Sequence, residues 1–178
     1  LTYASLVADT NKVTVFEKES RPGGAFRYAG KAPLFQEVEA SEESFARYIA
    51  DLYKACVASG VSFRFSTDVL RHQSLLAPFD RIVIASGARY RYGIGPVVTK
   101  CLDWGFARRP GIAKLFSSDR LRKWFYYTAR SGTADRFCAL ASGHQVVIAI
   151  GDAVCAGKSK EAVRSAFDAA LLSKVRQA

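Results

Sequence analysis

The stretch VTVFEKESRPGG, residues 13–24, decides how the rest of the chain is read. A β-branched, apolar run of buried-strand length ends on an acidic residue, Glu17. The chain then turns through Ser-Arg-Pro and sets two glycines, Gly23 and Gly24, side by side. Adjacent glycines reach positive φ without strain and let backbone N–H groups approach an anion that a Cβ would hold off. Arg21 adds a cation in the same turn. A carboxylate at the carboxyl end of such a strand is where dinucleotide-binding folds grip ribose hydroxyls. Each part alone also reads as a solvated strand end or an ordinary turn.

Ahead of this stretch, residues 1–12 read as a short helix closed by the polar Thr10-Asn11-Lys12. No Ser, Thr or Asp precedes it as a cap, and neither Met nor a basic leader opens the chain. The start therefore reads as a cut, not a signal peptide. Behind it, a loop is expected over 29–33. Ser41-Glu42-Glu43-Ser44 then opens a helix whose Phe45, Ile49, Leu52, Tyr53 and Cys56 form an apolar stripe ending at Ser59-Gly60. Residues 61–65 alternate as a half-exposed strand, and 81–86 read as a buried one. Periodicity weakens over 87–145, where Trp104, Trp124, arginines and aromatics gather. It returns at 146–150, a buried strand followed by Gly151-Asp152 and a helix over about 159–175.

Strand–helix alternation around apolar strands predicts an α/β, Rossmann-like domain, a mostly parallel sheet with helices on both faces. One domain is expected over 1–178, with core halves 1–90 and 145–178 and a short helical or irregular insertion over 91–144. Apolar residues make up 49% of the 178 and charged residues 24%, an ordinary globular balance. Twenty-six Lys and Arg against sixteen Asp and Glu give +10, which favours anionic partners. Nucleic acid is disfavoured by the lack of zinc-finger spacing, an RNP-like motif or a long basic run. Four scattered cysteines without a CxxC pair suit a reduced, cytoplasmic setting. Cys155 reads as a small buried side chain, and His72 and His144 form no cluster for a metal or triad.

Two further elements complete the pattern. Ala85-Ser86-Gly87-Ala88-Arg89 leaves a strand through small residues, so chain can pass close to a ligand. At Ile148-Ala149-Ile150-Gly151-Asp152 a strand ends on Gly-Asp shortly before a helix start that can face an anion or polar ring edge. In order and spacing these segments resemble the FAD-binding domain of flavoproteins with two dinucleotide-binding domains. The likeness is greatest to the C-terminal part of the NADH:flavin oxidoreductases related to old yellow enzyme, of the 2,4-dienoyl-CoA reductase and trimethylamine dehydrogenase type. It covers residues 1–90 and 145–175.

The resemblance implies that Glu17 holds the adenosine ribose of FAD, with Lys18 beside the adenine end. It implies that Arg21, Gly23 and Gly24 line the approach to pyrophosphate and flavin, and that Gly87 passes near the cofactor. By the same likeness Gly151 and Asp152 meet the ribityl chain, and the backbone at Ala162 and Val163 faces the pyrimidine edge. The family's GxGxxG loop and first strand would precede Leu1. Its NAD(P)-binding insertion has no counterpart: Gly93-Ile94-Gly95-Pro96 reads as a turn without a third glycine, which argues against NAD(P). The expected function is to hold FAD for electron transfer to an N-terminal catalytic domain or partner subunit outside this chain. An ADP-like ligand held without turnover, or a basic module for anionic partners, are the alternatives. For the latter, residues 108–130 read as a helix from Ser118 with Leu121, Trp124, Phe125 and Thr128 on one side and Arg120, Arg122, Lys123 and Arg130 around them, suited to an acidic protein or an anionic membrane surface.

Overall fold

A computed structural model describes residues 1–31, 41–106, 109–115 and 118–175. Expectations for Ala32, Pro33 and Arg108 therefore lie outside the described residues. The fold is mixed α/β, with short parallel and antiparallel sheets.

Helix α1 (Thr2–Val7) leads into β1 (Thr14–Phe16). The double-glycine turn runs straight into a 3₁₀ helix, Gly24–Lys31, where a loop was expected at 29–31. Helix α2 (Glu42–Ala58) starts as its sequence predicts: the Ser41 hydroxyl accepts from the Ser44 N–H at 3.1 Å, and Glu42 and Glu43 face the positive end of the helix dipole. Gly60 at φ 81° ends it. Of its apolar stripe, Ile49 and Cys56 are buried. Strand β2 (Ser62–Arg64) returns parallel to β1, pairing Thr14 with Ser62 and Phe16 with Arg64, so 14–64 is a βαβ unit.

Strand β3 (Arg81–Ile84) pairs in parallel with β6 (Val146–Ala149), from Arg81 opposite Val146 to Ile84 opposite Ala149. Gln145 locks their entries together. Its amide donates to the carbonyls of Leu76 and Phe79, both at 2.7 Å, and its oxygen accepts from the Ser142 N–H. Between these strands, β4 (Ala88–Tyr90) and β5 (Arg130–Gly132) form an antiparallel ladder. Helices α3 (Gly95–Asp103), α4 (Pro110–Leu115) and α5 (Asp119–Lys123) lie between β4 and β5, α6 (Ala134–Cys138) follows β5, and α7 (Ser159–Val175) closes the fold.

One mostly parallel sheet was expected; the described strands form three separate two-stranded ladders. Apolar patterning reports burial of a strand, not which edges bond, and strands of three or four residues leave little ladder to join. What unites them is packing. Tyr3 and Val7 of α1 meet Ala166 and Ala170 of α7 over Val13, Val83, Ile148 and Ile150. Ala4 faces Cys56 of α2 and Val61. A further cluster holds Leu76, Ile82, Ile84 and Ala153 with Phe16 and Phe137 against it. Among the described residues no helix is long and apolar enough to cross a membrane.

Two expectations in the insertion are corrected. Gly95 and Pro96 open α3 instead of forming a turn, because proline in the first turn needs no N–H partner there. The single helix expected from Ser118 becomes α5 followed by a π turn, Trp124–Thr128, in which the Ala129 N–H reaches back to the Trp124 carbonyl at 2.8 Å. The wider turn shifts the phase of the stripe. Leu121 and Phe125 are half-buried, while Trp124 and Thr128 face solvent.

Candidate functional site

The expected site residues fall into two groups. At the carboxyl end of β1, the Glu17 carboxylate accepts from the Glu19 N–H through Oε1 at 3.0 Å. Its backbone is fixed by the Arg64 carbonyl and the Thr67 N–H, both at 2.9 Å. Among the described residues no hydrogen bond reaches Oε2. Lys18 is exposed, 3.9 Å from Asp68, and Arg21 is exposed in the turn. Gly23, at φ 110°, is confined by α2: a Cβ there would stand 2.7 Å from Ile49 Cδ1. Gly24, at φ 49°, has open space where a side chain would be.

The second group gathers where the parallel pair β3 and β6 ends. Gly87, at φ 74°, leaves β3, and its carbonyl accepts from the buried Thr133 hydroxyl at 2.7 Å. Because that proton is committed, Ser86 donates its own to Thr133 Oγ1, also at 2.7 Å. Gly151, at φ 60°, leaves β6, donates to Ser165 Oγ at 3.1 Å, and lets α7 approach so closely that a Cβ would lie 3.1 Å from that of Ala162.

Asp152 follows, and it is clamped. Arg130 Nη1 reaches its Oδ2 at 3.3 Å and the Gly157 N–H its Oδ1 at 3.3 Å. Arg130 itself is 11% exposed. It donates to the carbonyls of Gly157 at 2.7 Å and Tyr126 at 3.2 Å, and lies over the Tyr126 ring. Burial raises the Asp152 carboxyl above the usual carboxylate range; Arg130 and the Gly157 N–H pull it down, and Glu161 pushes it up. A carboxylate held this way can accept a hydroxyl proton from a sugar or polyol, since each oxygen keeps a lone pair free.

The start of α7 is not open to an anion. Glu161 folds back and accepts from the Lys158 N–H, and the Ala162 N–H bonds to the Lys158 carbonyl. Ala162 and Val163 are half-buried, and the backbone donor at Ala162 is engaged within the helix. At this end of the β3–β6 pair the groups left open thus suit a hydroxyl better than an anion.

Arg130, Tyr126, Thr133 and Glu161 escaped the sequence reading. Arg130 was expected on an exposed helix but is a β5 residue turned inward, because the π turn ends the helix before it. Its ion pair spans 22 positions, so no local spacing signals it. The capping link from Glu161 to the third residue before it was readable in principle. Cys155, expected to be buried, is exposed in the turn beyond Asp152. Among the described residues no group of three His, Cys, Asp or Glu could hold a metal. A cavity of about 270 Å³ lies elsewhere, lined by Lys31, Glu42, Leu102, Asp103, Trp104 and Gly105.

The phenols of Tyr90 and Tyr126 are raised by burial, with the Arg130 cation opposing. Groups raised on folding contribute stability that is complete below the unfolded tyrosine value of about 10 and lost as pH climbs through the raised values. Urea unfolding should therefore weaken steeply in alkali, and less so in Tyr126→Phe. In a phenolate absorbance titration these two rings should ionise above the ordinary tyrosine value of about 10.

No protein-family model, curated protein or solved structure matches the chain.

Proposed function

We propose that the chain is a Rossmann-like FAD-binding domain of an oxidoreductase, holding the cofactor for a catalytic domain or subunit beyond it. The observation that carries this reading is the end of the β3–β6 pair. Two parallel strands finish side by side on left-handed glycines, Gly87 and Gly151, and the next residue is the clamped carboxylate Asp152. In α/β sheets ligands bind at the carboxyl ends of strands, where loops part. Further support comes from α1 and its cluster, which span β1 and the β3–β6 pair although the two are not bonded to each other. A strand between them would complete a parallel sheet.

FAD, when bound, would supply the electron chemistry. Glu17 would accept from ribose hydroxyls through its open oxygen, with Lys18 flanking the base. Arg21, Gly23 and Gly24 would border the phosphates, Gly87 would leave room for the cofactor, and Asp152 would accept from the ribityl chain. Ala162 and Val163 would border the ring edge. The expected test result is that Asp152→Ala weakens FAD binding by about 1.5–3 kcal/mol, the value of a charge-assisted hydrogen bond. Titration of apo-protein by flavin fluorescence, below the unfolding range of both forms, measures it. Equal affinity would remove Asp152 from the site, and no FAD binding by the wild-type holo-length protein would refute the cofactor.

A further inference from the structure

Both tryptophans of the chain lie in the insertion, and both are exposed, Trp104 by 70% and Trp124 by 42%. Tryptophan is normally well buried, so two exposed indoles call for a cover. The same insertion concentrates charge: residues 91–144 hold ten Lys and Arg against three Asp, +7 of the formal +10. Two of those aspartates are already engaged, Asp103 by Lys31 and Asp119 by Lys123.

Helix α3 brings the two features together. Val97 and Lys100 lie three residues apart on α3, Trp104 follows four residues later as its C-terminal cap, and all three are exposed. Tyr92, 75% exposed, stands in the turn before it beside exposed Arg91. The face is rooted rather than loose. The Cβ position of Gly95 lies 3.5 Å from the Tyr90 ring, and Tyr90 packs on Phe125 with centroids 5.4 Å apart.

We propose that α3 and the turn before it form a docking face for an anionic lipid bilayer. Tyr92, Val97 and Trp104 enter the interfacial layer, and Arg91 and Lys100 meet headgroup phosphates. Charge complementarity selects an anionic surface. The aromatic members select lipid over an acidic protein: Tyr92 is 75% exposed, and Trp104 remains 70% exposed although it packs on Phe106 and lines the shallow cavity beside Lys31 and Asp103. A bilayer interface takes such an apolar body with a polar tip, whereas protein hot spots sit in desolvated pockets. Basic residues beside such anchors are drawn to anionic headgroups and released by salt.

The test is flotation of the intact protein with phosphatidylcholine vesicles containing roughly a fifth phosphatidylserine. Binding is expected, with a blue shift of tryptophan emission and release at high salt, and none is expected with phosphatidylcholine alone. Trp104→Ser and Lys100→Glu together should lower the bound fraction about tenfold or more. Lys54→Glu, the same charge reversal on the exposed side of α2, should leave most of it. Both substituted sites are exposed, and unfolding curves check that the variants remain folded. No binding to the anionic vesicles overturns the proposal, and so does an equal loss in Lys54→Glu, which would reduce the attraction to net charge. Retention on poly-glutamate without vesicle binding overturns it in favour of an acidic protein.

Discussion

Gly132→Ala should destabilise the protein by about 3 kcal/mol or more, a fall in Tm on the order of 6–12 °C for a chain of this size. A Cβ at 132 would be driven into the carbonyl oxygens of Ala153 and Val154, 2.7 Å from the latter. Both are backbone atoms of the turn that carries Asp152, so no side chain can swing aside. Either β5 withdraws from that turn or the turn itself shifts. Gly143→Ala is the matched control, because nothing lies within 4 Å of its Cβ position and its backbone is not left-handed. Thermal unfolding of both variants measures the contrast. Equal midpoints would mean that β5 does not press on the Gly-Asp turn.

The second large effect is expected at Arg130. Arg130→Ala removes the cation from a partly buried pair and leaves Asp152, 21% exposed, without its partner. It also strips donors from the carbonyls of Tyr126 and Gly157. Breaking such a pair from one side should cost about 2–4 kcal/mol near neutral pH. The cost should depend on pH in a definite direction. Burial already raises Asp152, and losing Arg130 raises it further. A carboxyl raised on folding disfavours the native state only once it ionises. The deficit of Arg130→Ala should therefore be smallest below the unfolded aspartate value of about 3.9 and grow as pH rises through the folded one. Denaturant unfolding at acid and neutral pH tests this, and Arg130→Lys should recover part of the loss by restoring charge without the fork. A deficit independent of pH would mean that Arg130 acts only through the two carbonyls.

Legibility followed locality. Helix α2 was readable to within a residue because its cap, acidic first turn, apolar stripe and terminal glycine all lie within the segment they define. Strands β1, β2, β3 and β6 were readable as strands for the same reason, although shorter than their apolar runs, whereas β4 and β5 lie where a strand exit and the end of a helix were expected. Their pairing was not, since edge bonding depends on what lies alongside in space. In the insertion the signal was misleading. A stripe drawn at α-helical spacing through Leu121, Trp124, Phe125 and Thr128 fails once one turn widens, and sequence offers no mark for a π turn. Of the candidate site, the positions whose backbone conformation demands glycine were legible, at Gly23, Gly87 and Gly151. It was illegible where distant residues complete it, as Arg130 and Thr133 do.

Helix α1 bears on how the protein is made. Its Tyr3 hydroxyl bonds Ser173 across 170 positions at 3.0 Å, and Lys174 reaches Asp9 at 2.9 Å. The apolar side of α1 is thus covered by α7. During synthesis, α1 and the strand after it must wait until α7 has left the ribosome before that part of the interior can close. Over that interval Leu6 and Val7 remain open to solvent, and a chain released short of α7 keeps them so. Such truncated products are natural clients for chaperones, and protection of α1 amides should be among the last to appear as the nascent chain lengthens.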